Sequence, residues 1–189
     1  MRLATWNVNS LRARADRVEA WLERSNIDVL AIQETKCRDE NFPFELFERM
    51  GYDVAHFGVS QWNGVAIASR VGLADVQRTF LEQPFFGKGG VDPVQEARAM
   101  SADCGGVRVW SLYVPNGRAL DDEHMGYKLN WLDVLNRQAG TWLQQDPQAQ
   151  IALMGDFNIA PQDDDVWDID YFIKEELTHV SPEERAAFY

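Results

Sequence analysis

The sequence IALMGDFN, residues 151–158, is a short apolar run that stops on an acid, with an amide two positions later. Apolar runs of this length are typical of buried strands. Two further runs, residues 3–7 and 29–34, have the same form and end on Asn7 and Glu34. Because sites in open α/β sheets form beyond the carboxyl ends of strands, three such ends can deliver two carboxylates and two amides to one place.

These strand ends predict a metal site built from oxygen ligands. Oxygen ligands of this kind suit Mg²⁺, with Mn²⁺ as an alternative, rather than Zn²⁺. Each residue also has a plainer interpretation: Glu34 as an exposed loop acid, and the asparagines and aspartate as caps of Asx turns. The candidate ligands are Asn7, Glu34, Asp156 and Asn158.

Length and composition predict one globular domain spanning residues 1–189. The chain is 46% hydrophobic, with seven Trp and ten Phe, so it can build a sizeable core. No apolar run approaches the roughly 20 residues that span a membrane, and no membrane association is expected. The two cysteines, Cys37 and Cys104, give no disulfide framework, and a reducing, cytoplasmic location is therefore expected.

The net charge of −12 argues against a protein that coats nucleic acid by charge alone. The charge is uneven, since residues 139–189 contain 11 acids and only Lys174 and Arg185 as bases. The acidic run 163–165 is interpreted as a solvated surface, with cation binding as the alternative.

The pattern of apolar residues predicts a mixed α/β structure. Strands are separated by helices towards both ends of the chain, and antiparallel strand pairs lie between. Ser10 is predicted to cap a helix over 12–24, a short helix ends at Met50, and a long helix covers 121–145. Beyond Asp163 only loop and short helix are expected. The predicted strands are 2–6, 29–33, 52–57, 64–69, 73–79, 97–103, 107–114 and 151–155.

Two further residues have a weaker chemical signal. Tyr113 ends a predicted strand before the turn at 115–117, where a phenol can donate to a phosphate oxygen, although a buried structural tyrosine is commoner. Lys128 stands near the start of the long predicted helix, where most lysines are solvated. The three histidines, His56, His124 and His179, are interpreted as structural or surface residues.

Five motifs in this order resemble those of the exonuclease III family of apurinic/apyrimidinic endonucleases, within the endonuclease/exonuclease/phosphatase superfamily. Two pieces, QE and GDFN, are shared across the superfamily, whereas NVNSLR and YVPNG are more specific to the DNA-repair branch. The motifs are ATWNVNS at 4–10, IQETK at 32–36, NGVAI at 63–67, LYVPNG at 112–117 and GDFN at 155–158.

The resemblance implies a four-layer α/β sandwich, in which two packed mixed sheets are flanked by helices. By motif, Glu34 resembles the chief Mg²⁺ ligand with Asn7 beside it, and Tyr113 resembles the tyrosine close to the scissile phosphate. Asp156 resembles the aspartate that orients or deprotonates the attacking water, or protonates the leaving oxygen. Three more positions follow by motif: Asn158 for stabilising developing charge, and Asn116 and Lys128 for contact with the substrate.

The resemblance also implies that the chain stops before the last strands of the family, which leaves the second sheet incomplete. Those strands normally carry a further metal-site aspartate in an Arg-Ile-Asp piece and a histidine in a terminal Ser-Asp-His piece. His179 does not match that histidine motif. Residues 1–189 alone are therefore expected to have little nuclease activity, and the complete protein is expected to be monomeric.

Three functions remain open from the sequence. The first is a Mg²⁺-dependent DNA-repair phosphodiesterase, which cleaves double-stranded DNA 5′ to abasic sites and trims damaged 3′ ends. The second keeps the fold but acts as a phosphatase on lipid or inositol phosphates. The third is a non-catalytic remnant that binds DNA or a partner. The motif NVNSLR favours the first, and the retained residues Glu34, Asp156 and Asn158 argue against the third.

Overall fold

Eight strands form two four-stranded sheets in the computed structural model, which describes residues 1–189. The first sheet has the order β1-β2-β4-β3 and the second the order β5-β6-β7-β8. Each sheet is mixed, because β1 and β2 run parallel, as do β7 and β8, while the other neighbours are antiparallel. The strands are β1 Leu3–Asn7, β2 Val29–Gln33, β3 Asp53–Phe57, β4 Val65–Ser69, β5 Ala74–Arg78, β6 Ala99–Cys104, β7 Val107–Tyr113 and β8 Ile151–Asp156.

Five α-helices and three short 3₁₀ turns complete the chain. The helices are α1 Ala15–Ser25, α2 Phe44–Arg49, α3 Glu123–Gln145, α4 Ile169–Lys174 and α5 Pro182–Phe188. The 3₁₀ turns are Arg12–Arg14, Asp39–Asn41 and Asp163–Asp165. None of the helices combines the length and the apolar character that a membrane crossing requires.

The chain divides into two compact units. The first comprises Met1–Phe80, Glu96–Tyr113 and Asp146–Asp156, and so contains both sheets with α1 and α2. The second comprises Leu81–Gln95, Val114–Gln145 and Phe157–Tyr189, and contains α3, α4 and α5.

Within the first unit the two sheets pack face to face, and α1 and α2 cover the outer side of the first sheet. Every residue of β2 and β4 is buried, because each strand has apolar neighbours on both faces. One apolar cluster, which includes the fully buried Phe47, joins the first sheet to α1 and α2. Another joins Val29 and Ile67 of the first sheet to Met100 and Val109 of the second. The predicted α/β class with two packed mixed sheets is confirmed.

A buried polar chain links the two sheets across their apolar interface. The Gln33 side chain donates to Ser111 Oγ at 3.0 Å, and Ser111 Oγ donates to the Ile32 carbonyl at 2.9 Å. Thr5 in turn donates to Gln33 Oε1 at 3.1 Å. Because buried polar groups are costly when unpaired, these bonds favour one register between the sheets over its alternatives.

The second unit is organised around α3. Phe86 stacks on Tyr127 of this helix, with 4.6 Å between the ring centroids. Lys88 forms an ion pair with Asp122 at 2.8 Å, just before the helix begins. Together these contacts fasten the segment 81–95 to the start of α3.

The helix start predicted at Ser10 differs in the structure. Ser10 lies in the left-handed region at φ 83°, and its backbone N–H donates to the Glu34 carbonyl at 2.7 Å. The backbone then makes the 3₁₀ turn, and α1 begins only at Ala15, with no side-chain cap. Because the Ser10 backbone is hydrogen-bonded to the loop after β2, Ser10 does not lie at the start of the helix and does not cap it.

Both cysteines are free and buried. Cys37 is 2% exposed beneath the first sheet, and Cys104 is fully buried between the sheets. Burial raises the pKa of each thiol, since the thiolate loses its hydration.

Candidate active site

The parallel strand pairs bring four predicted side chains of the first unit to one end of the sheets. Asn7 ends β1 opposite Gln33, and Glu34 follows Gln33 directly. On the second sheet Tyr113 ends β7 opposite Asp156, the last residue of β8. Since β1 also packs beside β8, the polar residues after these strands meet.

Asn7 connects the two carboxylates. Its Nδ2 donates to Glu34 Oε1 and to Asp156 Oδ2, each at 2.8 Å. Its Oδ1 accepts the Asn9 N–H at 3.0 Å, which fixes the orientation of the amide. Asn7 was predicted as a ligand beside Glu34, and in this structure its amide nitrogen joins the two carboxylates. Its role as a metal ligand stays a prediction.

Glu34 is held as an anion in an uncommon backbone conformation. It lies in the left-handed region at φ 53°, as non-glycine residues at functional sites often do. Burial favours the neutral acid, but hydrogen bonds from Asn7, Lys36 and Tyr113 outweigh it and lower the pKa of Glu34. Lys36 Nζ lies 2.9 Å from Glu34 Oε2 and also donates to Asn9.

Tyr113 is held protonated beside this carboxylate. Burial and the nearby charge of Glu34 raise the pKa of the Tyr113 phenol far above its ordinary value, so it stays a donor. The Arg98 guanidinium lies over the tyrosine ring, 4.7 Å from its centroid, and forms an ion pair with Glu96 at 2.6 Å. The Arg98 guanidinium, held by Glu96, thus packs against one face of the Tyr113 ring.

Glu34, Asp156 and the Asn7 amide that joins them form an acidic cluster, which fits a Mg²⁺ ion that retains water ligands. Such an ion is usually bound by one or two carboxylates and several waters. Glu34 and Asp156 supply two carboxylates bridged by one amide. No group of three or more His, Cys, Asp or Glu side chains is arranged to hold a metal ion.

The second unit brings together the other three predicted residues. Asn116 Nδ2 donates to Asn158 Oδ1 at 3.2 Å, and Asn158 Nδ2 donates to the Val114 carbonyl at 2.9 Å. Lys128 Nζ donates to the backbone carbonyls of Asn116 and Asn158. The turn after β7 and the segment after β8 are thus joined through these side chains.

Lys128 differs from the DNA-facing position predicted for it. Its side chain is fully buried and forms an ion pair with Glu184, which is also fully buried. The second Glu184 oxygen accepts the N–H groups of His179 and Ser181, at 2.8 and 3.2 Å. An ammonium group enclosed in this way is not available to a phosphate, so the structure gives Lys128 a tethering role.

Two basic residues beside the acidic cluster were not among the predicted site residues. Lys36 pairs with Glu34, and Arg98 lies over Tyr113. The spacing of Lys36, two positions after Glu34 in a polar turn, was a usable signal. Arg98 had none, because an arginine in a predicted strand is ordinarily solvated and its contact with Tyr113 depends on the pairing of β6 with β7.

Comparisons with known proteins show the family of the chain. Residues 4–176 match the Endonuclease/Exonuclease/phosphatase family. The exodeoxyribonuclease III of Haemophilus influenzae is 31% identical over 172 residues, which cover 88% of this chain and 60% of that enzyme. The chain spans between 51% and 62% of the length of three such curated relatives.

Solved structures of similar proteins cover the whole chain. A Neisseria 3′ phosphatase, NExo, solved with a product DNA hairpin, has a TM-score of 0.87 and 34% identity, and the chain covers 68% of it. An AP endonuclease from Archaeoglobus fulgidus has a TM-score of 0.83, 34% identity and the same coverage. These likenesses support the predicted fold class over residues 1–189.

Proposed function

Because the chain belongs to the endonuclease/exonuclease/phosphatase family, and within it to the exonuclease III nucleases, we propose that it is a Mg²⁺-dependent DNA phosphodiesterase. Its substrates would be double-stranded DNA with abasic sites, cleaved on the 5′ side, and damaged 3′ ends. The observation that supports this most directly is the pair of carboxylates, Glu34 and Asp156, bridged by Asn7 at 2.8 Å on each side.

Glu34 and Asp156 are the proposed holders of the cation. When bound, Mg²⁺ supplies polarisation of the phosphoryl group and neutralises charge on the leaving oxygen. The lowered pKa of Glu34 keeps its carboxylate ionised at neutral pH and so available as a ligand. Mn²⁺ accepts the same oxygen ligands and is the natural substitute in binding experiments.

Asp156 and Tyr113 are proposed to act on the phosphate and the water. A carboxylate at Asp156 can orient the attacking water and accept its proton. The Tyr113 phenol remains protonated and can move its hydrogen bond from Glu34 to a phosphate oxygen. The charge-stabilising role of Asn158 and the substrate contact of Asn116 stay predictions, since both side chains are engaged with the turn after β7.

One relative supports a second activity on the same substrate class. The Neisseria protein is named a 3′ phosphatase and was solved with a DNA product. Removal of a 3′ phosphate needs the same cation and attacking water as phosphodiester cleavage, so both activities suit one acidic cluster.

The test is cleavage of an abasic duplex, and release of phosphate from a 3′-phosphorylated duplex, with millimolar Mg²⁺. Both rates are measured for the 189-residue chain, which is expected to be weakly active, and for a version extended by the last strands of the family, in which the variants are compared. Glu34→Gln should lower both rates by roughly 10²-fold or more, the usual loss when a key electrostatic group is removed. Glu48→Gln is the matched control, because the same change at an exposed residue of α2 leaves the acidic cluster intact.

Retention of more than about a tenth of the activity in Glu34→Gln would overturn the assignment of Glu34. Binding of Mn²⁺ by the wild-type chain, followed by electron paramagnetic resonance, separates two further outcomes. Metal binding without any cleavage would favour the non-catalytic alternative, and absence of binding would reject the metal site itself.

A further inference from the structure

The segment after Glu34 has two faces. Thr35, Cys37 and Asp39 alternate with Glu34 of the acidic cluster and with Lys36, which pairs with Glu34. Thr35 is fully buried. The backbone is in the left-handed region at both Glu34 and Lys36, with φ values of 53° and 51°. Such a backbone persists only where its surroundings hold it.

His56 on β3 is the centre of the contacts that hold the inward face. Its Nε2 lies 2.8 Å from Thr35 Oγ1, and its Nδ1 lies 2.9 Å from Asp39 Oδ1. The Asp39 contact lies off the N–H direction and is chiefly electrostatic. Arg78 completes the set, because it donates to Asp39 Oδ2 at 2.8 Å and to the His56 carbonyl at 3.0 Å.

The packing around this histidine leaves no room for adjustment. The ring is fully buried and stacks on Phe42, with 4.2 Å between the centroids. A Cβ at Gly64 would lie 2.1 Å from Thr35 Oγ1, and one at Gly58 would lie 2.5 Å from the His56 ring. Two glycines thus allow the backbone to close over the contact between Thr35 and His56.

We propose that His56 is a positioning residue, which sets the geometry of Glu34 and Lys36 through Thr35 and Asp39. The inference rests on the proposed function, because it assigns the second layer of contacts to the same acidic cluster. Thr35 and Asp39 are anchored on either side of Lys36, so the anchor fixes where the outward side chains point. Side chains of this second layer tune metal affinity by roughly 10- to 100-fold in other sites.

The protonation state of His56 is consistent with this role. Burial lowers the pKa of the ring to about 4, against the opposing influence of Asp39, so the imidazole is neutral at pH 7. A neutral ring with its proton on Nδ1, facing Asp39, leaves Nε2 free to accept the Thr35 hydroxyl proton. The negative charge of Asp39 beside Nδ1 favours the tautomer that carries the proton there.

The experiment compares Thr35→Val with Thr35→Ser. Valine has the shape of threonine without the hydroxyl, whereas serine keeps the hydroxyl and loses a methyl. Mn²⁺ affinity of the 189-residue chain, measured by electron paramagnetic resonance, should fall about tenfold or more in Thr35→Val and change little in Thr35→Ser. Tyr52→Phe is the control for stability alone, because it removes a buried hydroxyl that donates to Ile27 in the same unit. It should leave Mn²⁺ affinity unchanged.

A Thr35→Val chain that is folded by its melting temperature and binds Mn²⁺ like wild type would overturn the proposal. If the wild-type chain binds no Mn²⁺, the proposed function is rejected. The positioning role of His56 is then tested without metal. Residual dipolar couplings of the Glu34 and Lys36 amides should then change in Thr35→Val but not in Tyr52→Phe. Unchanged couplings in both variants would reject the positioning role.

Discussion

At the scale of single residues, Asn7 shows how one amide can organise two acids. A carboxylate at this position would add a third negative charge beside Glu34 and Asp156. The neutral amide donates to both, which offsets part of their mutual repulsion. An asparagine at the end of β1 therefore suits the proposed cation site, because it keeps two anions close together without adding a third.

His56 makes the stability of the fold depend on pH. The unfolded chain binds a proton at this residue near pH 6.5, whereas the folded chain binds it only near pH 4. Stability should therefore fall as pH drops from about 6.5 towards 4, by up to about 3 kcal/mol from this group. The free energy of urea unfolding at pH 7 and pH 4.5 checks this in wild type.

The contribution of His56 is isolated by a variant that cannot titrate. His56→Gln is expected to lower stability at pH 7 and to lose less of it on acidification than wild type. An equal loss in both proteins would mean that carboxylates alone cause the acid sensitivity and that His56 titrates normally.

Some site residues could be predicted from the sequence because strand ends are local signals. Glu34 and Asp156 each follow an apolar run, so the sequence predicts both their position and their direction. Lys128 could not be placed in this way. Its environment depends on Glu184, which lies 56 residues further along the chain and has no local pattern that points back to α3.

At the scale of elements, the short helix α5 is held in place by the contacts of one acid, Glu184. Ser181 and Glu184 form a reciprocal capping box. Pro182 occupies the first turn, where a backbone N–H would have no partner within the helix, so the missing N–H of proline costs nothing. Glu184 also accepts from Lys128 of α3 and from the His179 backbone. The lowered pKa of Glu184, where these hydrogen bonds outweigh burial, reflects the same contacts.

Breaking the buried ion pair should destabilise the second unit. Lys128→Met leaves the Glu184 carboxylate buried without its cation, a loss of roughly 3–5 kcal/mol in comparable cases. The double variant Lys128→Met/Glu184→Gln should lose clearly less than the two single losses combined. Urea unfolding of the four proteins measures the coupling, and additive losses would show that the two side chains act independently.

The elements themselves followed largely from periodicity. All eight predicted strands exist, with ends displaced by at most two residues, because β-branched and apolar runs between turn signals are specific. The start of α1 was displaced from the predicted one because Ser10 is bonded to the loop after β2. A contact between distant parts of the chain thus overrode a local capping signal.

At the scale of the whole molecule, a net charge of −12 limits how DNA can be held. We expect weak binding that depends on a few local contacts and on the bound cation. With two phosphates neutralised, the affinity should fall about tenfold between 50 and 200 mM salt. Fluorescence anisotropy with a labelled abasic duplex in Mg²⁺ measures this slope.

The same titration distinguishes a tethering role from a phosphate contact at Lys128. The slope should be unchanged in Lys128→Met at a temperature where the variant is folded, because its ammonium group is buried. A shallower slope in this variant would show that the lysine reaches the DNA. A wild-type affinity that is insensitive to salt would contradict the expected local contacts.

Pairing between strands is what the sequence could not provide at this scale. The runs predicted a mixed α/β fold, but not the order β1-β2-β4-β3 or β5-β6-β7-β8. Strand order depends on which apolar faces meet, and several orders satisfy the same alternation of side chains. The motif resemblance supplied the two-sheet architecture, and the structure supplied the register.

The two buried thiols can report how often different parts of the folded chain open. An alkylating reagent can reach Cys37 only when the segment behind Glu34 opens, and Cys104 only when the sheets separate. Their rates of modification therefore follow two different opening equilibria, one local and one close to global. The ratio of the two alkylation rates therefore reports how much more easily the segment after Glu34 opens than the two sheets separate.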